Sequence, residues 1–236
     1  MKNTMHGIWR IYPSPLNTEL ISKSNFDFQI FDFEHGSYDF KSLSEDLRIS
    51  KNHNVKAFAR VGGLNQIEVQ RCLDLGADGI VFPQLSKFED FEKASKMMLH
   101  YPNGTRGYNP FVADFDFGDK VVPEKKECIV IVETLSAVKI LERIIKIENI
   151  DTIYIGVYDL SAQLDCKGDL LNRELVYIVN QIIETTLKFE KNVSLMVNSM
   201  EDFEYFFDKG VKSFVHGVDS FHLKNAFKNI LSKNEK

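Results

Sequence analysis

The chain has 236 residues, 44% apolar and 27% charged, with a formal net charge of -5. That is an ordinary globular composition with enough apolar residues for a sizeable core. The acidic balance argues against nucleic acid or an anionic membrane as partner, since both reward a basic face.

The longest apolar runs, such as ECIVIVE, are far too short to span a bilayer, and MKNTMHGIWRIYPS has neither the apolar stretch nor the cleavage site of a secretory leader. Cys72, Cys128 and Cys166 are three in number, well separated, and lack CxxC pairing. They are expected to be buried thiols in a reducing cytoplasm.

In chain order, HGIWRIY reads as a strand, and SPLNTELISKSN as a helix with Pro15 in its first turn. FQIFDF is a strand and SYDFKSLSEDLRISKNHN a helix. VKAFARV is a strand, followed by the amphipathic helix NQIEVQRCLDLGA, with Gly76 as its stop. ADGIVFPQL and KFEDFEKASKMMLHY continue the alternation. PNGTRGYNPFVADFDFGDKVVPEK has the Gly and Pro content of a loop. ECIVIVET, SAVKILERIIKIEN and DTIYIGVYD are strand, helix and strand, and RELVYIVNQIIETTLKFEKN is a strong helix. NVSLMVNS, MEDFEYFFDKG, VKSFVHG and FHLKNAFKNILSK close the pattern.

Eight strand–helix pairs over this length, with strands that are apolar on both faces, predict a single-domain (β/α)8 TIM barrel spanning residues 1–236. A doubly wound sheet would more often carry a Gly-rich phosphate turn after its first strand, and IWRIYPSP has none.

In such a barrel, chemistry sits at the C-terminal ends of the strands. Asp32, Glu34 and His35 fall there after strand two, Arg60 after strand three, Pro83 and Gln84 after strand four, and Glu133 after strand five. Asp159 falls in the turn after strand six, Asn198 after strand seven and His216 on strand eight. Glu133 and Asp159 follow neighbouring apolar strands. Their carboxylates either share a divalent cation, leaving positions for substrate oxygens, or serve as helix caps. Arg60 is either a clamp for a carboxylate or a structural partner of a rim acid such as Glu34. Asp32 and His35 read as a carboxylate-oriented base, or as a satisfied helix-entry turn. His216 reads as a packed residue, and His6, His53, His100 and His222 as surface.

The segments FDFEHG, FARVGGLNQIEVQRCLDLGADGIVFPQL, PNGTRGY, IVIVETLSAVKILERIIKIENIDTIYIGVYDLSAQL and GVKSFVHGVDSFHLKNAF together resemble the class II pyruvate-dependent aldolases of the HpcH/HpaI type. The similarity runs in order from about residue 7 to residue 230. It implies a barrel that assembles as a homo-oligomer, a trimer or hexamer, by exchanging its last helix. It implies a lyase that cleaves or forms 4-hydroxy-2-oxo acids, giving pyruvate and an aldehyde. It also implies a Mg, Mn or Co ion on Glu133 and Asp159, a substrate site with Arg60, Tyr158 and Asp159, and acid/base transfer by His35 with Asp32 through a water. Asp74 matches a family Asp linked to subunit packing.

Three departures stand out: Ile131 where the family often has a Gln two residues before the metal Glu, Val157 in place of a Pro, and Gly62 in place of another. Two other readings stay open. One is an acyl-CoA ester lyase of the wider superfamily, which needs a basic groove; the other is a barrel that binds a keto acid without turning it over.

Overall fold

The computed structural model describes residues 4–121 and 124–232. Residues 1–3, Val122 and Pro123 of the predicted loop, and residues 233–236 lie outside the described residues.

Eight parallel strands close into a barrel in chain order. They are β1 (Met5–Arg10), β2 (Phe28–Asp32), β3 (Lys56–Arg60), β4 (Gly79–Phe82), β5 (Glu127–Val132), β6 (Thr152–Ile155), β7 (Asn192–Met196) and β8 (Ser213–Val218). All eight predicted strands are present, and β8 pairs with β1 to close the ring.

Several helices begin where the sequence supplies caps. Helix α1 (Pro15–Ser22) starts at Ser14, whose side chain accepts from the Asn17 N–H, with Pro15 preset at the first helical position. Asp39 and Ser42 form a capping box on α2 (Phe40–Asn52), and Asn65 caps α3 (Gln66–Asp74). Helix α4 covers Phe88–Met97. The single helix expected after strand five is two pieces, α5 (Leu135–Lys139) and α6 (Leu141–Ile145), which meet at Ile140. Strand six is shorter than expected. It stops at Ile155, and Val157–Gln163 forms α7, so the turn expected to hold Asp159 is the first turn of that helix. Helices α8 (Arg173–Lys188), α9 (Met200–Asp208) and α10 (Asp219–Ser232) follow.

The strands alternate between two cores, as the two-residue period of a pleated strand requires. Ala57, Ala59, Cys128, Val130, Val132, Ile153 and Ile155 pack outward against the helices. Trp9, Phe28, Ile30, Phe58, Val81, Ile129, Ile131, Tyr154 and Val215 fill the interior. Cys72 and Cys128 are buried free thiols, and Cys166 is half-buried and free.

Arg10 is the largest outward-facing exception and is fully buried. Its guanidinium is satisfied by Asp219 at 2.8 Å, Thr18 Oγ1 at 2.7 Å and Gln29 Oε1 at 2.6 Å. A buried charge survives only with such partners. The Arg10–Asp219 pair anchors the start of α10, in which Asp219 is the one buried residue. Phe227, Ile230 and Leu231 further along α10 are exposed.

Among the described residues, the predicted loop is irregular apart from a short 3₁₀ segment at Ala113–Gly118 and a bridge between Arg106 and His100. It is pinned by Arg106, which donates to Asp74 at 2.8 Å and Asp114 at 2.7 Å. Asp74, which the resemblance links to subunit packing, holds Arg106 within the chain. Among the described residues no helix is long and apolar enough to cross a membrane.

Candidate functional site

The inward series on several strands runs on past its last apolar residue. Phe58 is followed two positions later by Arg60, Phe28 and Ile30 by Asp32, and Ile129 and Ile131 by Glu133. The same two-residue period that fills the barrel floor therefore aims these charged groups into its C-terminal mouth. The mouth is a cavity of about 740 Å³, lined among others by Asp32, His35, Arg60, Glu133, Tyr158 and Asp159. All six residues expected at the site are thus brought to one cavity.

Their mutual contacts differ in part from expectation. Asp32 is fully buried and forms a two-pronged ion pair with Arg60, through Nε at 2.8 Å and through Nη2. Arg60 Nη1 also lies 3.0 Å from Glu34 Oε2. The guanidinium sits 4.4 Å from the centre of the Trp9 ring, a cation–π contact on a third side. Burial opposes the Arg60 charge, but the Asp32 hydrogen bond and the charges of Asp32 and Glu34 outweigh it and hold the group firmly protonated.

The expected Asp32–His35 pairing of carboxylate and imidazole is not formed. Asp32 Oδ1 instead accepts the backbone N–H groups of Glu34 at 2.9 Å and His35 at 3.2 Å. The His35 side chain is 70% exposed, with Nε2 3.9 Å from Glu34 Oε1. The physical reason is competition: a buried carboxylate beside a guanidinium takes the stronger bidentate partner, and its remaining capacity closes the local turn. Gly36 completes that turn, since a Cβ there would lie 2.1 Å from the Asp32 carbonyl oxygen.

Neither acid of the proposed pair caps a helix with its side chain. Thr134 caps α5, and Gly156 precedes α7. Glu133 Oε1 accepts instead from the backbone N–H of Gln84, a residue held at a positive φ of 58°. The Gln84 side-chain amide reaches Glu34 Oε1 at 2.6 Å and so links the rim acids. Burial pushes the Glu133 carboxyl up to about 7. The Gln84 hydrogen bond opposes that shift, Asp159 and Glu34 add to it by repulsion, and Arg60 counteracts them. Gly156 makes room for this acid, as a Cβ at that position would lie 2.4 Å from Glu133 Cβ and 3.0 Å from its Oε2. Tyr158 stands at the opening, 47% exposed, and its hydroxyl accepts from Asn198 Nδ2 at 3.0 Å.

Two carboxylates that repel in a partly apolar cavity, one of them resisting ionisation, form a donor set suited to a divalent cation. Among the described residues, no group of three or more His, Cys, Asp and Glu side chains could hold an ion. The chain would therefore supply two ligands and leave the rest to water and substrate. No lysine lines the cavity among the described residues. A single guanidinium also falls short of the basic groove that an acyl-CoA reading needs.

Sequence reasoning missed Trp9 and Tyr154, which both line the cavity. Their signal was available in the inward period of β1 and β6, where each is a polar-tipped aromatic. His6 is not a simple surface residue. Its Nδ1 lies 2.8 Å from His216 Nε2, and its ring stacks on Phe214 and meets Phe203 at a tilt.

Comparison with known proteins agrees with the fold. The family model described as HpcH/HpaI aldolase/citrate lyase matches residues 6–226. A hydroxypyruvate/pyruvate aldolase of Roseovarius nubinhibens is 21% identical over 233 residues, covering 96% of this chain and 91% of that one. A 4-hydroxy-2-oxo-heptane-1,7-dioate aldolase of Shigella flexneri is 22% identical over 226 residues, covering 93% and 85%. The crystal structure of an HpcH/HpaI aldolase/citrate lyase family protein from Burkholderia cenocepacia superposes with a TM-score of 0.93 at 21% identity, covering 99% and 95%.

Proposed function

The chain belongs to the HpcH/HpaI aldolase/citrate lyase family, and from that premise we propose that its mouth cleaves or forms 4-hydroxy-2-oxo acids, with pyruvate and an aldehyde as the other side of the reaction. It is an aldolase, a carbon–carbon lyase. The observation that carries the reading is the convergence of Glu133, Asp159, Arg60 and His35 on one cavity.

Glu133 and Asp159 would hold the divalent ion, with Mg, Mn and Co as the candidates. When bound, the ion supplies positive charge for the electron density released as the bond beta to the ketone breaks. Arg60 supplies a second, permanent charge. Its fork is locked by Asp32 at Nε and Nη2 and by Glu34 at Nη1, and the N–H groups left over are preorganised for the substrate's carboxylate, so little reorganisation accompanies the reaction. Asp32 acts through Arg60 and through the turn that carries His35, which makes it a positioning residue and not the partner of the imidazole. His35, at the solvent-facing edge, takes the 4-hydroxyl proton through a water, and Tyr158 borders the aldehyde side of the opening.

The same reading includes a homo-oligomer, trimer or hexamer, that exchanges α10. It is supported by the exposed Phe227, Ile230 and Leu231 on that helix and by α9, which has no buried residue.

The test is pyruvate release from 4-hydroxy-2-oxo acids of graded chain length, after chelation and after return of Mg, Mn or Co. Activity restored by metal in the natural chain and absent in Glu133→Ala supports the assignment. Equal release by Glu133→Ala rejects it.

A further inference from the structure

One polar group in the cavity has no role in the account above. Tyr154 points inward from β6, directly across from Ile131 on β5, with which it shares register. Ile131 lines the same wall and offers no polar atom, so the phenol is the hydrogen-bonding group of that sector.

The phenol is held from one side only. Trp9 Nε1, a donor that cannot accept, gives its proton to Tyr154 Oη at 3.0 Å. The two rings meet edge to face, with centroids 5.6 Å apart at 82°. Trp9 thus occupies an Oη lone pair and leaves the Tyr154 O–H to find an acceptor of its own. Among the described residues the structure gives it none, although Tyr154 is buried. A buried donor without an acceptor is costly unless a ligand completes it.

The surroundings suggest the charge of that ligand. The Trp9 ring that orients Tyr154 is the ring that lies against Arg60. Burial, followed by the Trp9 hydrogen bond and the charge of Arg60, sets the phenol's acidity. The net effect is upward, so the hydroxyl stays a neutral donor throughout the working pH range.

We propose that Tyr154 donates a hydrogen bond to an anionic oxygen of the bound 2-oxo acid, beside Arg60, and that Trp9 is the positioning residue that aims it. The wall carrying Ile131 thereby gains a donor from the neighbouring strand. This inference rests on the reading of the mouth as a 2-oxo acid site.

The experiment measures binding of pyruvate by calorimetry in excess Mg²⁺, for the natural chain and for Tyr154→Phe, alongside KM and kcat. The variant keeps the ring and its edge-to-face packing and removes one oxygen. Pyruvate affinity is expected to fall about 10- to 100-fold, as for a lost hydrogen bond to a charged acceptor. Mg²⁺ affinity measured without pyruvate should stay within about twofold. A purely structural phenol would lower the melting temperature and leave pyruvate affinity unchanged, which overturns the proposal.

Because Tyr154→Phe orphans the Trp9 N–H, the double variant Trp9→Phe/Tyr154→Phe is measured too. The weakened binding should persist there, and affinity restored to the natural level overturns the proposal. A natural chain that binds no pyruvate defeats the parent reading together with this one. Binding by the natural chain that Tyr154→Phe matches defeats this one alone.

Discussion

Replacing Glu133 with Gln should stabilise the metal-free protein at alkaline pH and not at acidic pH. In the folded chain burial raises this carboxyl to about 7, from an ordinary 4.5. The native state therefore keeps a proton that the unfolded chain has already lost. Its contribution to stability is fully present below pH 4.5 and disappears as the pH rises through 7. The gap corresponds to about 3 kcal/mol in all, of which about 2.5 kcal/mol falls between pH 5 and pH 8. Gln removes the titration, and its amide oxygen can still accept from the Gln84 N–H that Glu133 uses now. Urea unfolding in chelator at pH 5 and pH 8 is the assay. The stability advantage of Glu133→Gln should grow by about 2.5 kcal/mol across that interval. Mg²⁺ at pH 8 should then raise the melting temperature of the natural chain and leave the variant unmoved. An advantage that is the same at both pH values would refute the claim that a buried, repelled carboxylate awaits a cation here.

Other perturbations test separate parts of the site. His35→Gln should lower kcat about 100- to 10,000-fold. Its effect on urea stability should stay within about 0.5 kcal/mol, because the side chain is exposed. Gly156→Ala should crowd Glu133 at ordinary backbone angles, φ −84°. Overpacking of about 1–3 kcal/mol would weaken Mn²⁺ binding about 10- to 100-fold, read by titration calorimetry. Asp219→Ala should leave Arg10 buried and uncompensated. The expected loss is about 3–5 kcal/mol in urea unfolding, with KM of the folded fraction unaffected.

The strand pattern was legible because the buried strands write their own record: a largely apolar run of four to six residues. The break at Ile140 and the early end of strand six were not legible. Apolar periodicity continues through IVIVETLSAVKIL and TIYIGVYD, and only the packing geometry decides where the backbone leaves one ladder for the next turn. The same limit applied to acids and imidazole. FDFEHG announced titratable groups at a mouth, but not that Asp32 would choose Arg60, 28 positions away, over its near neighbour His35.

Local period and residue type therefore determined by themselves that this chain alternates strands with helices, which side chains point inward, and that Asp32, Arg60, Glu133 and Asp159 fall at or just beyond the C-terminal ends of strands. These are consequences of pleat geometry and burial, which act over a few residues. Closure of the ring decided the rest. It set Tyr154 against Trp9, 145 positions earlier, raised the Glu133 carboxyl by burying it, with Asp159 and Glu34 adding repulsion, and assigned each rim acid its partner. Such pairings depend on distances across the barrel and on the dielectric inside it, and both exist only once the chain has folded.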